Sequence, residues 1–240
     1  MAYYSMIIRI AGTNYSMNRD YSILIGANGW MHPEWETTYY PDDLPQDWLL
    51  GYYSNDFPVV MVTEKEWQSS EYSGKEAIED WVDNSEVSLR FVLELSAELA
   101  EFSKWREKLS GFGHRLFGVV LVFEELPTVE QFKALYTGWQ KHYPVCMDFK
   151  TAEPGKELSE ALAEVGVGWC WHGGENSQGI NNRSLAIARI ETENKTPRDL
   201  RAMLETMLAV DSTEQKVVLF EGTPPSLEVI NNTGIILDLL

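Results

Sequence analysis

The residues with the most chemistry to offer stand where short apolar runs of the chain give out. His172 closes the run ending Trp169-Cys170-Trp171 and precedes Gly173-Gly174. A histidine in that position is the best single candidate for proton transfer near neutral pH, although a hydrogen-bonded structural histidine fits the same pattern. Asp148 and Lys150 flank Phe149, and Arg189 and Glu191 flank Ile190, so in extended chain each pair shares one face. Two opposite-charge pairs beside a pocket could hold a small polar ligand or could satisfy one another as a structural network. Glu94, Glu124, Asp148, Glu191 and Glu221 could together hold a hard divalent cation, with Asp148, Glu191 and Glu221 the expected ligands. The catalytic candidates are thus His172, Asp148 and Glu191, a carboxylate serving as general acid or base.

A second group of candidates lies in Ile23 to Pro41, where an apolar run stops on Gly26-Ala27-Asn28-Gly29. An aromatic loop follows, with Trp30, His32, Trp35, Tyr39 and Tyr40. The rings could pack as a lid or stack on a planar ligand. Asn28, Trp30, Trp35, Tyr39, Lys150 and Arg189 are the expected ligand-binding residues. His32, His114 and His142 read as exposed loop or helix-end residues. Cys146 and Cys170 sit inside apolar runs without C-x-x-C spacing and read as buried thiols.

The elements that must position these groups alternate along the chain. Short β-branched or aromatic runs occur at 23–26, 58–63, 88–95, 117–123, 145–149, 167–171, 184–190 and 216–220, apolar on both faces as covered strands should be. Helical spacing of apolar residues separates most of them, at 45–54, 74–82, 97–109, 128–141, 157–164 and 196–209. Thr196 is a plausible cap with Pro197 at the first helical position, and the link after Trp171 is the least helical. Eight strands with interposed helices predict an α/β fold, a single (β/α)8 TIM-like barrel of parallel strands. An open doubly wound sheet is the rival, but its glycine-rich phosphate turn does not follow the first strand. Residues 1–20 read as a short N-terminal extension and 21–240 as one barrel domain.

Composition narrows the function classes. The 240 residues carry a formal charge of −18, a field that repels phosphate backbones and anionic membranes. No apolar run reaches the roughly 18 residues a membrane span needs. The expectation is a cytoplasmic protein whose partner is a small molecule, with nucleic acid disfavoured. Walker, zincin, zinc-ribbon and nucleophile-elbow motifs are not found.

Gly26-Ala27-Asn28-Gly29-Trp30, Trp35, Tyr39-Tyr40-Pro41, Leu44-Pro45, Tyr52-Tyr53 and Phe57 together resemble the opening of the YecE-like family, domain of unknown function family 72. That family shows a Gly-Thr-Ser-Gly-Trp turn, a later Trp and a Phe-Tyr-Pro. The resemblance implies a β/α barrel and no established reaction. It is specific over 23–57 and continues as pattern to Leu240. Downstream the strand ends depart from the family pattern: Glu94 stands at a usual lysine, Asp148-Phe149-Lys150-Thr151 at Glu-Phe-Arg-His, and Phe220-Glu221-Gly222 at Phe-Asn-Asn. Arg189 is kept. The resemblance thus implies a divergent member, most simply a small-molecule or partner binding module with its pocket at the C-terminal strand ends. A hydrolase-like enzyme, metal-assisted or not, using strand-end carboxylates and His172 is the alternative.

Overall fold

A computed structural model describes residues 23–68, 74–99, 101–174, 176–180, 185–210 and 215–240. The expected N-terminal extension lies outside these residues. Seven strands form one parallel sheet: β1 (Leu24–Asn28), β2 (Val59–Val62), β3 (Arg90–Ser96), β4 (Leu116–Phe123), β5 (Val145–Phe149), β6 (Ala186–Glu191) and β7 (Lys216–Glu221). Their order is β5-β4-β3-β2-β1-β7-β6. The sixth of the eight predicted strands, 167–171, survives as two bridges, Met147 with Trp169 and Trp171 with Ala188. Backbone bonds from Cys170 N to Met147 O (2.7 Å) and from Trp171 N to Ile187 O (3.0 Å) stitch this segment to β5 and β6. The ring of strands is thereby nearly closed. The segment stays short because Trp169 N donates to Gly179 O instead of to a neighbouring strand.

Helices α1 (Leu49–Asp56), α2 (Glu64–Gln68), α3 (Lys75–Asp83), α4 (Phe102–Leu109), α5 (Val129–Trp139), α6 (Lys156–Val165), α7 (Pro197–Ala209) and α8 (Leu227–Leu237) lie along the chain between and after the strands. The spacing anticipates most of them, while α2 and α8 lie outside the predicted spans. Thr128 and Thr196 cap α5 and α7 through reciprocal hydrogen bonds with Gln131 and Asp199, and Pro197 opens α7. Between Trp171 and β6 a single 3-10 turn, Gln178–Ile180, is the only helical element among the described residues, as the sequence suggests.

Alternation along each strand divides the core in two. One set of side chains (Ala27, Val60, Leu93, Leu121, Met147, Ala188 and Phe220 among them) packs outward against the helices. The other set fills the interior: Val59 and Met61, Val92, Val120 and Val122, Cys146, Cys170, Leu185 and Ile187, Val217 and Leu219. Gly118 belongs to this inner face, and a Cβ there would lie 2.2 Å from Leu185, so a missing side chain on β4 admits a large one opposite. At the strands' N-terminal end, buried Arg115 donates to the carbonyls of Val82, Glu86 and Leu89 and is spent on structure. The inner apolar layers separate that end from the carboxyl ends of the strands.

The aromatic loop belongs to the packing. Trp30 and Trp35 are 2% and 0% exposed, and Tyr40 is buried with its hydroxyl donating to Trp30 O at 2.7 Å. Trp30 packs edge-on against Trp81, and Trp35 stacks on Tyr53. Tyr53 in turn enters the β1–β2 ladder: its hydroxyl accepts from Ala27 N (2.8 Å) and donates to Val59 O (2.9 Å). A Cβ on Gly26 would lie 1.8 Å from Val59 O, so only glycine fits beside that insertion.

Candidate functional site

The inner face of five of the seven strands ends in a polar residue at the carboxyl edge, while β2 and β4 end on Met61 and Val122. Asn28 on β1, Glu94 on β3, Asp148 on β5, Arg189 on β6 and Glu221 on β7 continue the same alternating columns as the interior apolar residues, and His172 follows Cys170 in the bridge segment. Trp67 Nε1 donates to Glu94 O at 2.9 Å and so fixes the end of β3. Thr192 pins the end of β7 by donating its N–H to Glu221 O at 3.0 Å. The layer is held by backbone as well as by charge.

Arg189 is its centre, 3% exposed. Its Nη1 donates to Asp148 Oδ2 at 2.7 Å, its Nη2 to Glu94 Oε2 at 2.7 Å, and both Nη2 and Nε to Glu221 Oε1 at 2.5 and 2.6 Å. Burial works against the charged guanidinium, but Glu221, Glu94 and Asp148 outweigh it and hold the proton more firmly than usual. Lys150 Nζ adds a contact to Asp148 Oδ2 at 3.2 Å. Asp148 is fully buried, which alone would raise its pKa. The hydrogen bond from His172 and the charges of Arg189 and Lys150 reverse this and bring the carboxyl down to about 2.

An ionised carboxylate can only accept hydrogen bonds. His172 Nε2, 2.8 Å from Asp148 Oδ1, must therefore be the protonated ring nitrogen. In the neutral ring this leaves the lone pair on Nδ1, which has no partner among the described residues, and the side chain is 45% exposed. A buried carboxylate thus orients the imidazole, and in its neutral form the ring has the arrangement general-base chemistry requires. Asn28 Nδ2 lies 3.4 Å from Glu221 Oε1, while its Oδ1 is buried and unpaired. Reversing the amide would set two oxygens together, so that acceptor is genuine and calls for an enclosed water or a donor.

The structure gathers His172, Asp148, Lys150, Arg189, Glu221 and Asn28 into one layer and leaves other predicted residues outside it. Glu191 is exposed beyond Arg189 and takes no part in the ion-pair network among the described residues. The rings of Trp30 and Trp35 are enclosed by protein, which corrects their assignment as ligand-stacking residues. Tyr39 is half-buried, and its hydroxyl donates to Asp56 Oδ2 at 2.8 Å rather than to a strand-end residue. His32 is not an exposed loop residue: it sits half-buried with Nε2 2.9 Å from Asn28 O, and burial lowers its pKa. The expected metal set of Asp148, Glu191 and Glu221 does not fit an ion. Arg189 occupies the cation position between Asp148 and Glu221, and no group of three or more His, Cys, Asp or Glu among the described residues is arranged to hold a metal. Alternation placed the strand-end residues correctly. The contact between Cys146 and Cys170 and the insertion of Tyr53 into the ladder had no signal in spacing.

The architecture is that of a β/α barrel with a charged layer at the carboxyl ends of its strands. The chain belongs to the family described as protein of unknown function DUF72, whose model matches residues 24–226. Among solved structures it is similar to a DUF72 family protein from Enterococcus faecalis, with 14% identity, a TM-score of 0.61, and coverage of 90% of this chain and 96% of that one. KGPDC from Streptococcus mutans follows at 9% identity and a TM-score of 0.48, covering 77% and 87% of the two chains. At these identities the likeness shows the fold alone. Comparison with curated proteins finds no match. Among the described residues no helix is long and apolar enough to cross a membrane.

Proposed function

We propose that the protein binds a small polar molecule at the carboxyl-end mouth of the barrel, with His172 as the group that exchanges a proton with it. The observation that carries this reading is the pairing of fully buried, ionised Asp148 with half-exposed His172. Arg189 is saturated by carboxylates and is a positioning residue, since it acts on His172 only through Asp148. Lys150 supplies a cation on Asp148, and Asn28 an amide against Glu221 in the same layer. The charge of −18 disfavours a nucleic-acid ligand.

A hydrolase-like step is the second reading, favoured by the carboxylate behind the ring. In it Nδ1 of His172 takes a proton from water as that water attacks a bound electrophile. The test is to follow the His172 ring nitrogens by NMR while a panel of small polar compounds is titrated. A true ligand shifts those signals, and Asp148→Asn weakens its binding about tenfold, the effect of about 1.4 kcal/mol. Ligands that bind with unchanged affinity to both Asp148→Asn and His172→Gln proteins, leaving the ring signals still, would sink the reading.

A further inference from the structure

One layer beneath the Asp148–His172 pair lie two thiols. Cys146 and Cys170 face the barrel interior, 1% and 4% exposed, with their sulfurs 3.7 Å apart and not bonded. Their positions in the chain are matched. Cys146 precedes Asp148 by two residues and Cys170 precedes His172 by two, so each thiol shares a face with the site residue above it. Two short extended segments therefore connect the thiol pair to the carboxylate–imidazole pair.

We propose that Cys146 and Cys170 form a redox modification site, closed to a disulfide by a hydroperoxide, and that closure displaces His172 from Asp148. One thiolate attacks the peroxide and breaks the O–O bond, giving a sulfenic acid and releasing water or an alcohol. The second thiolate then attacks the sulfenic sulfur, forms the S–S bond and expels water. Two thiols are oxidised, one hydroperoxide is reduced, and the two thiol protons leave in the released products. The burial of both sulfurs selects a small oxidant: hydrogen peroxide is little larger than water, whereas a bulky aromatic disulfide reagent has no route to them.

The movement has a predictable direction. A disulfide spans about 2.05 Å, so the sulfurs must approach by roughly 1.6 Å. Cys146 lies in β5, which is fully laddered to β4 over Val145–Phe149. Cys170 lies in a segment held by two isolated bridges and a few backbone bonds, its own N–H donating to Met147 O, rather than by a full ladder. The weaker element yields, and His172 stands two residues along it. Burial, and then the neighbouring Cys146, push the Cys170 thiol well up, so the bond should form faster as pH rises.

The experiment treats the full chain with hydrogen peroxide and combines intact mass, peptide mapping and NMR of the His172 ring. The expected result is loss of two hydrogens, a peptide linking Cys146 to Cys170, and ring signals that shift on oxidation and return with dithiothreitol. That reversal tests the coupling in the wild-type protein, whether or not Cys146→Ser or Cys170→Ser folds; where they fold, their ring signals should not respond. Thiols that stay free in peroxide, or sulfinic acid without a cross-link, would overturn the site. A cross-link that leaves the ring signals unmoved would overturn the coupling. Neither outcome bears on ligand binding at the mouth, which the titration above decides separately.

Discussion

Replacing Asp148 with asparagine tests the electrostatics of the whole layer. The folded carboxyl sits at about 2 against an ordinary 3.8, and at about 1.4 kcal/mol per pH unit the difference is worth about 2 kcal/mol of stability. Because the folded value is the lower one, this stabilisation is present above the unfolded pKa and is lost as pH falls through the folded one. Full burial of the side chain means solvent screening takes little from the figure. Urea unfolding of wild type and Asp148→Asn, run at steps from about pH 5 down to about pH 2, is the assay. The gap between the two proteins should narrow by about 2 kcal/mol over that range, since protonated aspartic acid and asparagine then offer Arg189 similar neutral partners. A gap that stays constant with pH would refute the claim that Asp148 is ionised and held so by Arg189, Lys150 and His172.

Other changes probe the same framework. Arg189→Met should cost on the order of 3–5 kcal/mol in urea unfolding, because Glu94, Asp148 and Glu221 are left buried or half-buried without their shared cation. Part of that loss should return as pH is lowered and the carboxylates take up protons; a variant as stable as wild type would contradict the network. Tyr53→Phe removes the hydroxyl that serves both Ala27 N–H and Val59 C=O, and should lower stability by about 1–3 kcal/mol in thermal or urea melts. Thr196→Ala should cost about 1 kcal/mol through loss of the α7 cap, with the layer's His172 signals unchanged.

Much of the fold was legible because its signals are local. The runs at 145–149 and 216–220 match β5 and β7 closely, being β-branched or aromatic and bounded by turn residues. The segment 167–171 has the same composition yet forms only two bridges, because pairing depends on what lies beside it. Helix α8 escaped notice: Ile230 and Thr233 are its buried residues, and Asn231, Asn232 and Gly234 resemble a turn more than a helix. The aromatic loop leaves packing and ligand stacking both open for a related reason. Trp30 and Trp35 have the composition of a ligand platform, and only their neighbours Trp81, Tyr53 and Pro225 decide that the rings are enclosed.

The candidate site divides along the same line. Period-two alternation in the sequence by itself put Asp148 with Lys150 and placed His172 and Arg189 at strand ends, since side-chain direction on a strand follows from backbone geometry. Tertiary structure alone decided that Arg189 stands between three carboxylates, because Glu94, Asp148 and Glu221 come from strands far apart in the chain. Closure of the barrel brought them together. That closure turned a set of acids that could have held a metal into partners of an arginine, and set His172 against the buried carboxylate of Asp148.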